Sequence, residues 1–470
     1  MLELSLIALA AVLAFWAAGH ALLNKRDPRA ALGWIVVSLF VPLLGPGFYY
    51  ALGINRIRTR ARRLVERVSD EELPQVVVPE PDVVSAVAVE FSELDRIART
   101  VSGNELFAGN EVTVLNNGEE AFPAMLEAID SAEKRVVLAT YIFDTDTTGR
   151  RFIEALAAAR ERAVEVRVLI DGVGELYSWP RAAKMLRKRG VAAERFLPPR
   201  LLPPTFRLNL RNHRKILVVD GHDAFTGGMN IGDRYLVAGR DDRRRVADSH
   251  FHLTGPVVGE IERTFLEDWR FVTGELLAPS PAGAEAAGSA DCRLLTDGPN
   301  EDLDKLSMVL IGALSAARSR VAIMTPYFVP PRAVVSALQA AALRGVEVTV
   351  VLPEKNNLPY MHWASRNMLW ELLEHGVRIY YQPLPFVHSK LFLLDDHYVQ
   401  IGSANLDSRS LRLNFEMSVE IYSEPFGRRV AAHFERVCGR SREVSLEQLD
   451  SRSLPVRLRD SLAWLFSPYL

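Results

Sequence analysis

The chain carries one short pattern twice, half its length apart, and this repetition limits the possible folds more than any other feature. The first copy reads HRKILVVDG and holds His213, Lys215 and Asp220. The second reads HSKLFLLDD and holds His388, Lys390 and Asp395. Both fit H-x-K-x4-D. Each is followed by a turn of small residues ending in Asn, GGMN with Asn230 and GSAN with Asn405, and the His-to-Asn offset is 17 in both. The flanks repeat as well. KRVVLATYIF precedes the first copy as SRVAIMTPYFV precedes the second, and AVEVRVLID (163–171) resembles GVEVTVVLP (345–353). Each half should therefore run strand, helix, strand, then the H-x-K strand. Two copies of more than a hundred residues make a duplicated domain, not a solenoid.

HRKILVVD reads as a strand, rich in β-branched and apolar residues and bounded by Asn212 and Gly221. Alternation along a strand puts His213 and Lys215 on one face, and His388 and Lys390 likewise. Asp220 and Asp395 complete the motif set with the opposite parity, and read as structural carboxylates at the turn. A neutral imidazole beside an ammonium and an amide suits attack on an anionic phosphodiester. Lys215, Lys390, Asn230 and Asn405 would donate to the non-bridging oxygens as charge builds. One histidine would form a phosphohistidine. The other would protonate the leaving alcohol and then deprotonate the incoming one. A pseudo-twofold interface would bring the two together. Each imidazole needs a partner on its other nitrogen. Asp248, 35 residues after His213, and Glu416, 28 residues after His388, are assigned that orienting role. His20, His222, His250, His252, His362, His375 and His397 read as surface or packing residues. His250 and His252 alternate, yet no Cys or carboxylate set nearby completes a metal site.

These paired motifs resemble the signature of the phospholipase D superfamily, over nearly the whole chain. The resemblance implies an α/β fold of two pseudo-symmetric α/β/α lobes, and a phosphohistidine mechanism with no metal and no cofactor. It leaves lipid hydrolysis, lipid transfer and nucleic-acid cleavage open. The N-terminus narrows the choice. Residues 2–23 are apolar and long enough to span a bilayer. Lys25, Arg26 and Arg29 interrupt them, and residues 30–53 form a second apolar stretch. A transmembrane hairpin is expected. Pro42, Gly45, Pro46 and Gly47 leave a re-entrant or interfacial second segment as the alternative. The first stretch lacks the basic start and small-residue cleavage site of a signal peptide. The run KRDPRAALGWIVVSLFVPLLGPGFYYALG and the ending WLFSPYL resemble bacterial cardiolipin synthases. That implies transfer of a phosphatidyl group between two phosphatidylglycerol molecules, with glycerol released. It also implies His213 as nucleophile and His388 as general acid, then base. Water, serine or an ethanolamine lipid as partner, and a superfamily nuclease, remain the alternatives.

The basic residues Arg56, Arg58, Arg60, Arg62, Arg63 and Arg67 outnumber the three in the turn between stretches. The excess favours both ends in the cytoplasm and a catalytic part on the cytoplasmic side of a bacterial inner membrane. The same run fits anionic headgroups and fits a solvated helix face equally. A formal charge of −2 argues against a general nucleic-acid binder. Two cysteines provide no disulfide framework. The expected organisation is a hairpin over 1–53, a basic segment and connector over 54–110, a first lobe over 111–273, a linker over 274–290, and a second lobe with tail over 291–470. The loop LPPRLLPP (197–204), with Phe206 and Leu208, reads as an apolar rim or a packed loop. Asp144 and Asp146 read as helix N-caps. Tyr327 and Phe328 read as acyl-path or core residues. Arg243, Arg244 and Arg245 read as an anion-attracting or solvated run.

Overall fold

A computed structural model describes residues 2–25, 28–53, 85–199, 210–239, 244–280, 286–298 and 304–467. The chain divides into two compact units, Met1–Glu66 and Arg67–Leu470.

In the first unit, α1 (Leu2–Asn24) contains the membrane-length segment Leu4–Asn24, with a mean hydropathy of 2.1. At about 1.5 Å per residue it reaches roughly 30 Å, a hydrocarbon core's thickness. The second helix, α2 (Pro28–Phe40), has 13 residues and reaches only about 20 Å. The chain breaks after it, where Pro42 lacks an N–H and Leu43 takes a φ of 63°. It coils again through Leu44–Phe48 and Tyr49–Gly53. The second apolar stretch is thus a broken helix, not one continuous span. Ala17, Ala21 and Tyr49 are buried together against Trp34 and Ile35. Gly45 sits so close that a Cβ there would lie 2.1 Å from the Val37 carbonyl oxygen. His20 Nδ1 lies 2.7 Å from Tyr49 Oη. The arginines from Arg56 to Arg67, and residues 69–84 of the connector, fall outside the described residues.

Among the described residues the second unit is organised on one 15-stranded sheet. Its strands are β1 (Phe107–Asn116), β2 (Arg135–Thr140), β3 (Glu165–Asp171), β4 (Ala192–Phe196), β5 (Ile216–Val219), β6 (Asp223–Gly227), β7 (Ser249–Thr254), β8 (Ala290–Asp297), β9 (Arg320–Met324), β10 (Glu347–Pro353), β11 (Arg378–Gln382), β12 (Leu391–Leu394), β13 (Tyr398–Gly402), β14 (Glu416–Tyr422) and β15 (Arg442–Glu443). The order across the sheet is β15-β11-β10-β9-β12-β13-β14-β8-β1-β7-β6-β5-β2-β3-β4. Outward from the central pair β1 and β8 the two halves repeat one order, so the duplication in sequence is a duplication in space. β2, β3 and β4 run parallel, as do β9, β10 and β11. Those strands are joined by helical crossovers, the arrangement parallel pairing needs. β5 (ILVV) and β12 (LFLL) are buried at every position, as expected of strands covered on both faces.

Helices cover both faces. In the first half, Asn117–Ser131, α3 (Thr147–Glu161) and Ala182–Lys188 enclose one core with Val136, Leu138, Val168, Ile170 and Leu217. α4 (Val257–Thr273) packs on β2, β5 and β7 from the other face through Val258, Ile261, Phe265 and Trp269. In the second half, Lys305–Ala316, Arg332–Leu343 and α5 (Pro359–Glu374) build the matching core. The helix Glu424–Cys438 covers β12 and β13. The chain closes with α6 (Leu454–Leu465), packed on α5. The α/β/α architecture in two related lobes agrees with the sequence reading. Asp146 caps α3, accepting the Gly149 N–H at 3.1 Å. Asp144 does not cap a helix. It accepts Ser178 Oγ at 2.5 Å and both Nε and Nη2 of Arg234 at 3.0 and 2.7 Å.

One expectation about the motif strands fails. β5 begins at Ile216 and β12 at Leu391, so neither His-x-Lys lies within its strand. The reason is that these segments pair with the opposite half instead. Asn212 bridges Phe415, and the His213 N–H donates to the Phe415 carbonyl at 2.9 Å. Phe386 and Val387 pair with Val246 and Ala247, and the His388 N–H donates to the Ala247 carbonyl at 2.8 Å.

Candidate active site

Those exchanged backbone bonds bring both motifs to one place, and the side chains follow. His388 Nδ1 lies 3.0 Å from Asp248 Oδ2. His213 Nδ1 lies 3.1 Å from Glu416 Oε1. Each carboxylate thus faces the histidine of the other half, not the one whose motif it follows in sequence. The two contacts differ in quality. The His388 pair is an aligned hydrogen bond. Glu416 Oε1 has no aligned donor, so its contact with His213 is an ion-pair approach set by distance. Glu416 Oε2 is held by Ser403 Oγ at 2.6 Å. Both carboxylates are buried, while the imidazoles keep 22% (His213) and 16% (His388) side-chain exposure, so the rings are what a substrate meets.

The lysines are buried beside them. Lys215 Nζ donates to the His213 carbonyl at 2.5 Å. Lys390 Nζ donates to the His388 carbonyl at 2.6 Å and lies 3.0 and 3.1 Å from that ring's nitrogens. Burial lowers the proton affinity of Lys215, against the pull of Glu416, Asp248 and Asp171. Burial also brings Lys390 down to about 7, with Lys215 adding to the fall and Asp248 opposing it. His388 is pushed down to about 4 by burial and by Lys390, against Asp248. Burial alone would raise Asp248 and Glu416, but His388 with Lys390, and His213 with Lys215 and Ser403, together hold the two below the usual carboxylate range. A neutral His388 donating Nδ1–H to an ionised Asp248 satisfies both tendencies of that pair.

Asn230 and Asn405 are buried at matching places. Asn230 Oδ1 accepts the Ile142 N–H at 3.0 Å, and its Nδ2 donates to Tyr235 Oη at 3.0 Å. Asn405 Nδ2 donates to Ser410 Oγ at 3.2 Å, and its Oδ1 has no partner among the described residues. Each amide holds a neighbouring loop, and each Nδ2 carries a second N–H beyond that bond. Asp220 and Asp395 lie at the far ends of β5 and β12, away from the histidines. Asp220 accepts the N–H groups of Glu133, Lys134 and Arg135 at 2.8, 2.8 and 2.7 Å. Asp395 accepts those of Arg318, Ser319 and Arg320 at 2.9, 2.8 and 2.8 Å. They pin the turns entering β2 and β9.

Several supporting residues escaped the sequence reading. Asp171, at the end of β3, accepts the Asn212 N–H at 3.0 Å and Arg211 Nη1 at 3.3 Å, and so seats the approach to His213. Arg214 turns away from the site, pairs with Asp268 at 2.8 Å and donates to the Glu416 carbonyl at 3.2 Å, clasping the two halves. Tyr141 places its ring 4.4 Å from His213. Asp407 is buried, and burial lifts its carboxyl to about 6. The detectable signal was the run RNHRK, with the cations Arg211, Arg214 and Lys215 and the amide of Asn212 ahead of an apolar strand. Tyr327 lies with its ring 6.4 Å from His388, whereas Phe328 is core. His252 pairs with Asp223 at 2.6 Å and stacks on Phe225, while His250 is buried and its Nδ1 has no partner among the described residues. Among the described residues no group of three or more His, Cys, Asp or Glu side chains could hold a metal ion. The loop from 200 to 208 and Arg243 fall outside the described residues. Arg245 donates to the Val237 carbonyl.

Residues 125–269 and 310–438 match a family model described as cardiolipin synthase, PLD-like domain. Residues 12–53 match one described as phospholipase D-nuclease N-terminal. The major cardiolipin synthase ClsA of Bacillus subtilis (strain 168) is 30% identical over 466 residues, covering 95% of each chain. The cardiolipin synthase of Geobacillus thermodenitrificans is 31% identical over 457 residues, covering 95% of this chain and 90% of its own. In fold, the crystal structure of phosphatidylserine synthase from Haemophilus influenzae Rd KW20 matches 80% of this chain and 100% of its own, with a TM-score of 0.61 at 16% identity.

Proposed function

The chain belongs to the cardiolipin synthase family of phospholipase D-like phosphatidyltransferases, which act on phospholipids, and on that premise we propose how its own residues carry the transfer. The substrate is phosphatidylglycerol. Neutral His213 attacks the phosphorus, a P–N bond forms, and the P–O bond to the glycerol headgroup breaks. His388, protonated when the lipid is bound, gives its proton to the departing glycerol oxygen. A second phosphatidylglycerol then enters. His388 takes the proton of its headgroup hydroxyl, that oxygen attacks phosphorus, and the P–N bond breaks. Cardiolipin and one glycerol result. Lys215, Lys390 and the second N–H of Asn230 and Asn405 stabilise the charged oxygens.

Charge balance supports these roles. Two lysines and two carboxylates cancel when both imidazoles are neutral and Lys390, which burial brings to about 7, holds its proton. A bound phosphodiester adds one negative charge, and one imidazolium restores neutrality. The anion raises the proton affinity of His388 from its low value in the empty site. The exchanged pairing of carboxylates and histidines carries the reading most. It makes one site out of two motifs, as a double displacement at one phosphorus requires.

Two experiments test it. His213→Ala and His388→Ala should each abolish transfer while membrane insertion persists; full activity in either overturns the assignment. Mass spectrometry of products from phosphatidylglycerol alone should show cardiolipin and glycerol. Phosphatidic acid would make the chain a hydrolase, and phosphatidylserine appearing only with serine would make it a phosphatidylserine synthase. α1 anchors the chain in the bilayer, with the catalytic unit on the cytoplasmic side of an inner membrane and α2 completing a second pass through the broken segment. Protease protection of the catalytic unit in intact spheroplasts, lost on lysis, is the expected result.

A further inference from the structure

The last helix is built inside out. α6 meets α5 through charge. Asp460 is fully buried and pairs with Arg366 at 2.7 Å, Arg452 at 2.7 Å and Arg459 at 2.9 Å. Ser461 Oγ donates to Asn367 Oδ1 at 2.9 Å, and the Arg459 guanidinium lies 4.5 Å from the Trp363 ring centre. The outer face is apolar. Leu454, Leu458, Leu462 and Leu465 are 66%, 56%, 60% and 62% exposed, and Phe466 beyond them is 61% exposed. Their spacing stacks the leucines along one side of the helix. Asp460 is two residues from both Leu458 and Leu462, and so lies about 200° round the axis. A helix lying between protein and water arranges these faces the other way round.

The charges beside the stripe select what covers it. Arg457 is exposed at its edge. From Ser451 to Leu470 the one acidic residue is Asp460, already enclosed by three arginines. A second copy of this helix would offer Arg457 no carboxylate other than Asp460, which its own arginines already enclose. An anionic headgroup layer answers Arg457 directly. Trp464, 42% exposed, stands at the C-terminal end of the stripe, a residue enriched at the boundary of bilayer and water. We propose that α6 is an interfacial helix. It lies in the plane of an anionic bilayer, with the four leucines among the acyl chains and Arg457 at the phosphates. α5 begins beside the active site. Tyr327, whose ring is near His388, donates through Oη to Asn357 Oδ1 at 2.9 Å, two residues before that helix. Docking through α6 therefore fixes how the catalytic mouth meets the lipid surface. This deepens the lipid reading given above, and its readout is contact rather than turnover, so the two fail separately.

The test uses the full chain in vesicles of phosphatidylglycerol and phosphatidylcholine. An environment-sensitive thiol probe is placed at Leu458→Cys, and at Glu447→Cys as an exposed polar control, with the unsubstituted chain labelled for background from Cys292 and Cys438. Brominated acyl chains should quench the probe at 458 by about twofold or more, as for a side chain some 5–10 Å below the headgroups, and leave 447 unaffected. Equal quenching at the two sites overturns the proposal. Shielding of 458 from an aqueous quencher without acyl-chain quenching also overturns it, and indicates a protein contact. Leu458→Glu with Leu462→Glu, both at exposed positions, should raise KM for vesicle lipid with kcat unchanged; unchanged KM counts against the helix as a docking element.

Discussion

The exchange of partners at the histidines makes distinct demands on single residues. Glu416→Gln should impair the step that needs His213, although Glu416 follows the second motif. Asp248→Asn should impair the steps that need His388. Each should cost on the order of a hundredfold in kcat or more, since a misoriented imidazole loses most of its acid–base or nucleophilic contribution. Trapping separates them. Asp248→Asn should still form the phosphoenzyme from a lipid with an activated leaving group, which needs no proton, whereas Glu416→Gln should not. The opposite pattern would show that the nucleophile is His388. The buried histidines also set a pH dependence of stability. Burial lowers His250 to about 4 from 6.5, so the unfolded chain binds the proton more readily. Its contribution is intact above about pH 6.5 and is lost as pH falls towards 4. Between pH 7.5 and 5 the native chain should lose roughly 2 kcal/mol more than His250→Leu, read from denaturant midpoints at both pH values.

At the scale of elements, the motif aspartates belong to turns rather than to chemistry. Asp220 satisfies three backbone N–H groups from a backbone with φ of 53°, a region that Asp tolerates and Ala does not. Asp220→Ala should cost about 2–3 kcal/mol, seen as a lowered unfolding midpoint, while kcat of the folded fraction stays near the native value. A kcat loss comparable to that of His213→Ala would return Asp220 to the catalytic set. The turn position of Asp220 was legible from Gly221 beside it, whereas parity counted from His213 was not a sound guide, because β5 begins only at Ile216. The duplication and the helix cap at Asp146 were legible because local pattern and spacing determine them, while the α/β/α layers came from the resemblance to the phospholipase D superfamily. The exchange was not. Repeats invite pairing within a half, whereas His213 and Glu416 meet only because Asn212 bridges Phe415 across the interface. Arg214 looked like one more cation in a basic run. Its role as a clasp depends on Asp268 and on a carbonyl 202 residues away. The second apolar stretch carried its own warning in Pro42 and Gly45, and the helix breaks there.

The whole catalytic unit behaves as one sheet with two symmetric ends, and its energetics should follow. β1 pairs with β8 across the boundary between halves at Phe107–Cys292 and Asn110–Ala290, with a register shift between the two, and each strand continues into its own half through β7 and β14. Buried ion pairs also cross it or lie against it. Arg293 of β8 joins Glu420 of β14 at 3.1 Å and also meets Asp95, and Arg214 holds Asp268 while reaching the Glu416 carbonyl. Breaking one partner of a buried pair typically costs about 3–5 kcal/mol, because the other charge is left stranded. Neither half can therefore open alone without exposing a sheet edge and unpairing such charges. The residues beyond Arg67 should unfold in a single calorimetric transition, with calorimetric and van't Hoff enthalpies equal. Arg214→Ala should lower that transition without splitting it. Two resolved transitions, one for each half, would mean that the site is assembled by docking of independent lobes. The exchanged histidine pairs would then form only in the docked state, and activity would disappear at the lower transition.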